Sequence, residues 1–262
     1  MKLLKFAFLA LRYNCSAQMA NPVNLFMGFL GMAINNVFFM LGLYAVLFGG
    51  KPQNANIYPY FLAASTLSFF AWGFVHFFLG GLSKLPEQID NGTFEEFLGM
   101  PRSPIALAAL SDFNPPSLAD FIQGIICIGL GGYLFGFNFG LKLFCASIIA
   151  SIAVLGLYIF CGSVSFFVRR GAAIATVIMH STLSFSIYPT GIIFSGSAKL
   201  LFYFTPVLFT TLLPIDAIMS GNWHSFLFAL AMALLFLFFS VQLFNFGTKR
   251  YESSSFVSLK GS

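Results

Sequence analysis

Charge is what this sequence has least of. Only 8% of its 262 residues are Asp, Glu, Lys or Arg, whereas a water-soluble globule carries roughly 25%. Just eight are acidic, against thirteen Lys and Arg. The formal net charge of +5 does not point to nucleic acid, because the cations sit singly at the ends of apolar runs and form no patch. The four cysteines show no metal-ligand spacing. Cys127, Cys145 and Cys161 lie within apolar runs and, with Cys15, are read as small packing residues. A phosphate-cradling loop is missing as well: Gly50-Lys51 is followed by Pro52, not Ser or Thr. No HExxH occurs. Ser163 and Ser165 with His180 could suggest an intramembrane serine protease, but nothing in the sequence orients that His, and Ser within spans commonly serves as interhelical hydrogen-bonding glue. No charged residue falls in the middle of an apolar run, which argues against a proton- or ion-coupled carrier. No inverted repeat relates the two halves.

What is present is apolar surface. The chain is 58% hydrophobic and 18% aromatic, with 37 Phe. Such a surface faces lipid. A span needs about 20 apolar residues, and the charge-free intervals supply six, at roughly 23–48, 57–82, 119–138, 143–167, 172–189 and 225–246. The expected fold is therefore an all-α integral membrane protein with six transmembrane helices, a single transmembrane domain over 1–262. Ahead of the first span, Arg12 cuts the run "FAFLAL" too short for a signal peptide core. Residues 1–20 read instead as an interfacial amphipathic helix, with Leu4, Phe8 and Leu11 on one face and Lys5 and Arg12 on another. With both termini cytoplasmic, Lys2, Lys5, Arg12, Lys84, Arg102, Arg169, Arg170, Lys249, Arg250 and Lys260 lie inside. Only Lys51, Lys142 and Lys199 lie outside, with Lys142 between spans three and four.

The segment 190–222 is apolar but broken. Pro189, Pro206 and Pro214, with Gly191, Gly196 and Gly221, divide it into pieces too short to cross, read as two re-entrant helices between spans five and six. Polar residues within spans are few: Asn35 and Asn36 in the first, His76 in the second, His180 in the fifth. Asn35, Asn36 and His180 are candidates to line a translocation pathway, with helix–helix hydrogen bonding as the plainer alternative.

Half of the acidic residues cluster between spans two and three. Glu87, Asp90, Glu95 and Glu96 precede Pro101-Arg102-Ser103-Pro104 in the loop 84–104. Asn91-Gly92 reads as a turn and Thr93 as the N-cap of a short helix, "FEEFL", with Glu95 and Glu96 favoured by its dipole. Phe94, Phe97 and Leu98 form an apolar stripe. A body without an energy-coupling site of its own, and with its charge on one loop, predicts that energy arrives through a protein docked there.

Three blocks carry a family resemblance. Ile89, Gly92, Leu98, Pro101 and Pro104 fit a loop pattern I-x-x-G-x-x-x-x-x-L-x-x-P-x-x-P. Tyr188, Pro189, Pro206 and Pro214 fit a second block, and Arg250, Tyr251, Ser253 and Ser255 an Arg-Tyr-x-Ser-x-Ser ending. In these the chain resembles the six-span permease subunits of ABC-2-type ATP-binding-cassette exporters. It departs at Gly99-Met100, where that family more often has an apolar residue and Arg; here the Arg follows the Pro, at Arg102.

The resemblance implies a coupling helix that contacts the ATPase, carried by Glu87, Asp90, Gly92, Phe94, Glu95, Glu96, Phe97, Leu98, Pro101 and Arg102. It implies an outer exit gate at Tyr188, Pro189, Pro206 and Pro214. It also implies a bacterial inner-membrane location and a second permease copy or paralogue, with two separate ATP-binding subunits that hold the ATP and Mg. This chain would then be no enzyme and hold no cofactor of its own. Its surroundings are membrane lipid and its substrate amphipathic, lipid-like or peptide. An ATP-independent channel or secondary carrier and an intramembrane enzyme are the rival readings.

Overall fold

The computed structural model describes residues 21–49, 57–188 and 202–251, together with Leu9, Arg12, Tyr13 and Ser16. The amphipathic helix expected over 1–20, the first part of the re-entrant segment with Pro189, and Ser253 and Ser255 lie outside the described residues or are described only at isolated positions. Among the described residues there is no strand.

In chain order the helices are α1 (Pro22–Phe48), α2 (Ile57–Leu79), α3 (Gly81–Asp90), α4 (Glu95–Leu98), α5 (Pro104–Leu110), α6 (Ser117–Phe135), α7 (Phe137–Val164) and α8 (Gly171–Ile187). A π-helical turn over Leu208–Leu212 then runs into α9 (Leu213–Ser220), and α10 (Trp223–Thr248) follows. Local chemistry starts several of them. The Asn21 side chain accepts from the Asn24 amide with Pro22 in the first turn of α1, and Asn222 accepts from the His224 amide at the start of α10.

Helices α2 and α7 are the centre of the bundle. Every residue of α2 from Phe61 to Gly73 is buried, and α7 buries Leu143, Ala146, Ala150, Ala153, Val154 and Leu157. Around them stand α6, α8, α9 and α10, while α1 meets the bundle chiefly through α6. Lipid tails are as apolar as Leu, so close backbone approach has to hold such helices together. Gly73 and Gly124 provide it reciprocally between α2 and α6: a Cβ at Gly73 would lie 2.3 Å from the Phe121 nitrogen, and one at Gly124 2.6 Å from the Phe70 Cα. Replacing Gly124 with Ala is expected to force these two helices apart and cost about 1–3 kcal/mol. Thermal unfolding of the purified chain would report it as a lowered midpoint, and an unshifted midpoint would count against this contact. Several hydroxyls in the bundle are satisfied within their own helices, Thr66 donating to the Leu62 carbonyl, Ser147 to Leu143, Ser163 to Ile159 and Ser240 to Phe236.

Among the described residues five helices, α1, α2, α6, α7 and α10, are long and apolar enough to cross a membrane. The fifth expected span, α8, has only 17 residues, about 26 Å at 1.5 Å per residue. It ends because Tyr188, the residue before Pro189, takes an extended backbone (φ −81°, ψ 142°), the conformation that a following proline favours. The reading of Lys142 as a boundary between spans three and four is corrected. The reversal sits at Gly136 (φ 93°), leaving Lys142 more than a turn inside α7 and half-buried. An ammonium on a long aliphatic stem can occupy such a position by reaching along the helix towards its end.

Candidate functional site

The segment from Gly80 to Pro116 does not hang free of the bundle. At Gly80-Gly81 the chain turns from α2 into α3, and Gly81 lies so close to α5 that a Cβ would be 1.9 Å from the Ala108 carbonyl. Leu82, Leu85, Pro86 and Ile89 form the buried face of α3, while Lys84, Glu87 and Asp90 are exposed. Leu85 seats against Gly162 of α7, where a Cβ would come within 2.5 Å of it. Lys84 pairs with Asp112 at 2.7 Å, but its side chain is 58% exposed, and such surface pairs contribute little.

The turn that follows uses Gly92 at φ 82°, a left-handed conformation that costs a residue without Cβ nothing. Thr93 is not the N-cap. Its hydroxyl donates back to the Gln88 carbonyl at 3.4 Å, and no side chain caps α4. The apolar stripe is corrected too. Phe94 has no exposed surface, and its ring meets Phe97, Phe166, Phe244 and Tyr251 edge-on, with centroids 5.4–6.0 Å away. Three chain regions converge on it: the turn after α7, the end of α10 and the segment just beyond α10. A side chain so enclosed anchors the loop to the bundle and leaves direct contact with a partner to its neighbours. Glu95, Glu96, Leu98, Met100, Pro101 and Arg102 are exposed, and Phe97 is half-buried.

The acidic cluster divides in the same way. Asp90 Oδ2 accepts the backbone N–H of Ala172 at 2.9 Å, tying the end of α3 to the first turn of α8, where a helix favours a carboxylate. Glu87, Glu95 and Glu96 keep their outward positions. Burial, and after it the negative charge of Glu95, pushes the Tyr251 phenol above its usual value of 10.0, so it stays protonated at neutral pH. Pro104 sits in the first turn of α5, a helix that sequence reading missed; its signal was Pro104 followed by the run Ile105–Leu110.

The polar residues of the spans sit in different settings. Asn36 is 4% exposed and donates through Nδ2 to Asp120 Oδ1 at 2.6 Å, about one turn into α6. Asn35 and His180 are exposed on their helices. His76 shares a hydrogen bond with the Tyr158 hydroxyl, with Trp72 edge-on to the same Tyr ring at 5.6 Å. Asp120 and Tyr158 were not foreseen, since a lone Asp at a helix start and a lone Tyr in an apolar run carry no pairing signal. At the opposite end, Pro206 is half-buried, Pro214 buried and Tyr188 exposed. Pro214 has no N–H to donate, and the ladder ahead of it widens into the π-helical turn, closed by the Leu213 N–H to the Leu208 carbonyl. Thr210 in that turn shares a hydrogen bond with Ser186 of α8 at 3.0 Å. An apolar cavity of about 330 Å³ opens between α2 and α7, lined by Phe70, Phe74, Phe144 and Leu155 among others.

Long apolar helices packed through glycines, with an anchored acidic loop at one end, define a multi-pass membrane protein. The model of the ABC-2 family transporter proteins matches residues 56–255, and the chain belongs to that family. It is thus the membrane permease component of an ABC transporter, a transport subunit associated with an ATP-binding subunit. No curated protein matches the chain.

Proposed function

We propose that the chain is one of two permeases of an ATP-driven exporter in the bacterial cytoplasmic membrane, working as one transmembrane domain of six spans, with α4 and the residues after it as the coupling surface for an ATP-binding subunit. The observation that carries the reading is the contrast within residues 94–98: Phe94 is locked between α7 and α10, while Glu95, Glu96 and Leu98 point outwards. Force on the exposed residues would pass through Phe94 to two long helices, and through Asp90 to α8. ATP and Mg bind on the partner, present in two copies. The cation distribution supports a cytoplasmic loop: Lys84, Arg102, Arg169, Arg170, Lys249 and Arg250 accompany the loop end, against Lys142 near the other.

On this reading the piece from Pro206 through Pro214 belongs to a re-entrant gate at the outer exit, with Tyr188 and Pro189. The wide exposed face of α1, including Val23 and Phe38, meets the second permease, and Asn35 and His180 border the pathway. The apolar cavity between α2 and α7 supports an amphipathic or lipid-like substrate.

Replacing Glu95, Glu96 and Leu98 together with Ser tests the coupling surface. All three are exposed, so the thermal midpoint should stay within the change expected of surface substitutions, about ±0.5 kcal/mol each. Copurification of the ATP-binding subunit and permease-stimulated ATP hydrolysis should both fall by about tenfold or more, as expected when contacts worth a few kcal/mol are lost. Unchanged copurification and hydrolysis would reject the coupling assignment.

A further inference from the structure

The loop end also holds a cavity that coupling leaves unused. It has a volume of about 620 Å³ and lies between the end of α3, the turn joining α7 to α8, and the residues after α10. Arg169, Arg170 and Arg250 line it, with Asp90 the one carboxylate among its lining residues. Among the described residues none of the three arginines has a carboxylate within ion-pair distance, and Asp90 is engaged by the Ala172 amide. The cavity therefore carries an excess of positive charge over Asp90, and no other carboxylate among the described residues pairs with it.

A second observation is independent of the arginines. Ser165 lines the same cavity, is 7% exposed, and its hydroxyl has no hydrogen-bond partner. The Tyr251 phenol oxygen, also lining it, is hidden from solvent and unpartnered. Buried hydroxyls without partners are costly, and both of these can donate to an incoming oxygen. Guanidinium groups are suited to phosphate oxygens by their planar fork of donors.

The flank of the cavity decides where that phosphate comes from. Phe167 and Val168 are 42% and 40% exposed. Phe167 stacks on Phe246 with centroids 5.9 Å apart, and the Arg250 guanidinium lies 4.5 Å above the Phe246 ring. A soluble phosphate has no use for an exposed apolar wall beside its cations. A phospholipid does, since its acyl chains continue from the headgroup along the ends of the spans.

We propose that this cavity binds the phosphate headgroup of an anionic phospholipid, with Arg169, Arg170 and Arg250 supplying the charge and Ser165 and Tyr251 the neutral donors. The bound lipid bridges the α7–α8 turn to the end of α10. The inference rests on the chain's residence in a membrane and not on the coupling assignment.

The test is thermal unfolding of the purified full chain in a non-ionic detergent, titrated with phosphatidylglycerol, with phosphatidylcholine and with inorganic phosphate. Phosphatidylglycerol is expected to raise the midpoint saturably, with the other two doing little. The R169Q/R250Q variant should bind it about thirtyfold more weakly, given roughly 1 kcal/mol for each Arg near an anionic lipid surface. Ser165→Ala, which changes no charge and is mild enough to fold, should weaken it about fivefold, the worth of one hydrogen bond. Equal stabilisation by phosphatidylcholine, or wild-type affinity in both variants, would overturn the proposal. Variant-sensitive stabilisation by inorganic phosphate alone would assign the cavity to a soluble anion and overturn the lipid. So would an intact lipid response in R169Q/R250Q accompanied by lost copurification of the ATP-binding subunit, which would assign the arginines to that protein. Failure of the Glu95, Glu96 and Leu98 test leaves each of these outcomes readable.

Discussion

Phe94→Ala is expected to destabilise the chain by about 3–5 kcal/mol, the usual cost of deleting a fully buried aromatic, and to uncouple it from ATP hydrolysis. The ring has no exposed surface and sits among Phe97, Phe166, Phe244 and Tyr251. Phe166 already packs edge-on against Phe244 and Tyr251, and rings carried by three separate parts of the backbone can close the vacated space only in part. The exposed side chains of the loop remain, so the ATP-binding subunit should still copurify while its stimulated hydrolysis drops. Phe94→Leu keeps most of the volume and should cost less than about 1.5 kcal/mol. Thermal unfolding with a parallel hydrolysis assay separates the two effects. If Phe94→Ala melted like the wild type, the anchor would have no role; if it lost the subunit altogether, Phe94 would belong to the contact itself.

Asn36→Leu should be damaging too, and for a different reason. Asn36 donates to Asp120 at 2.6 Å and is 4% exposed. Removing the donor strands a carboxyl group between α1 and α6, which costs about 1–3 kcal/mol and more where that group is charged. Removing both partners should cost much less, since an apolar pair of similar shape leaves nothing unsatisfied. Asn36→Leu combined with Asp120→Leu is therefore expected to recover most of the lost stability, a coupling that a double-mutant cycle in thermal unfolding measures. If the single and double variants were equally unstable, the hydrogen bond would not be what holds α1. Substituting Asn35 and Asn36 together would not test a pathway alone, because the effect of losing Asn36 is dominated by Asp120.

Much of the fold was legible in the sequence because lipid imposes a simple rule on it. Apolar length sets where a helix can cross, and the expected segments match α1, α2, α6, α7, α8 and α10 to within a few residues, apart from the α6–α7 turn. That turn shows the limit of the rule. Charge usually marks an interface, which makes Lys142 read as the boundary, but Gly136 makes the reversal and the Lys side chain is long enough to be carried inside α7. The loop was harder. Its charge pattern was visible, yet which residues face inwards depends on α7 and α10, far away in the chain, and no spacing within residues 84–104 records them. Phe94 and Leu98 have the same local chemistry; one is enclosed and the other is 42% exposed.

The sequence by itself determined that the chain lives in a membrane, roughly which segments are long and apolar enough to cross it, and that the acidic loop lies between two of them, α2 and α6. Those properties follow from composition and length, which act locally and additively along the chain. Only the tertiary structure decided that Phe94 is an anchor, that Asp90 holds the start of α8, that Asn36 is bound to Asp120, and that three arginines and two unpartnered hydroxyls share one cavity. Each of these joins residues distant in sequence, and such pairings are set by how the helices pack against one another.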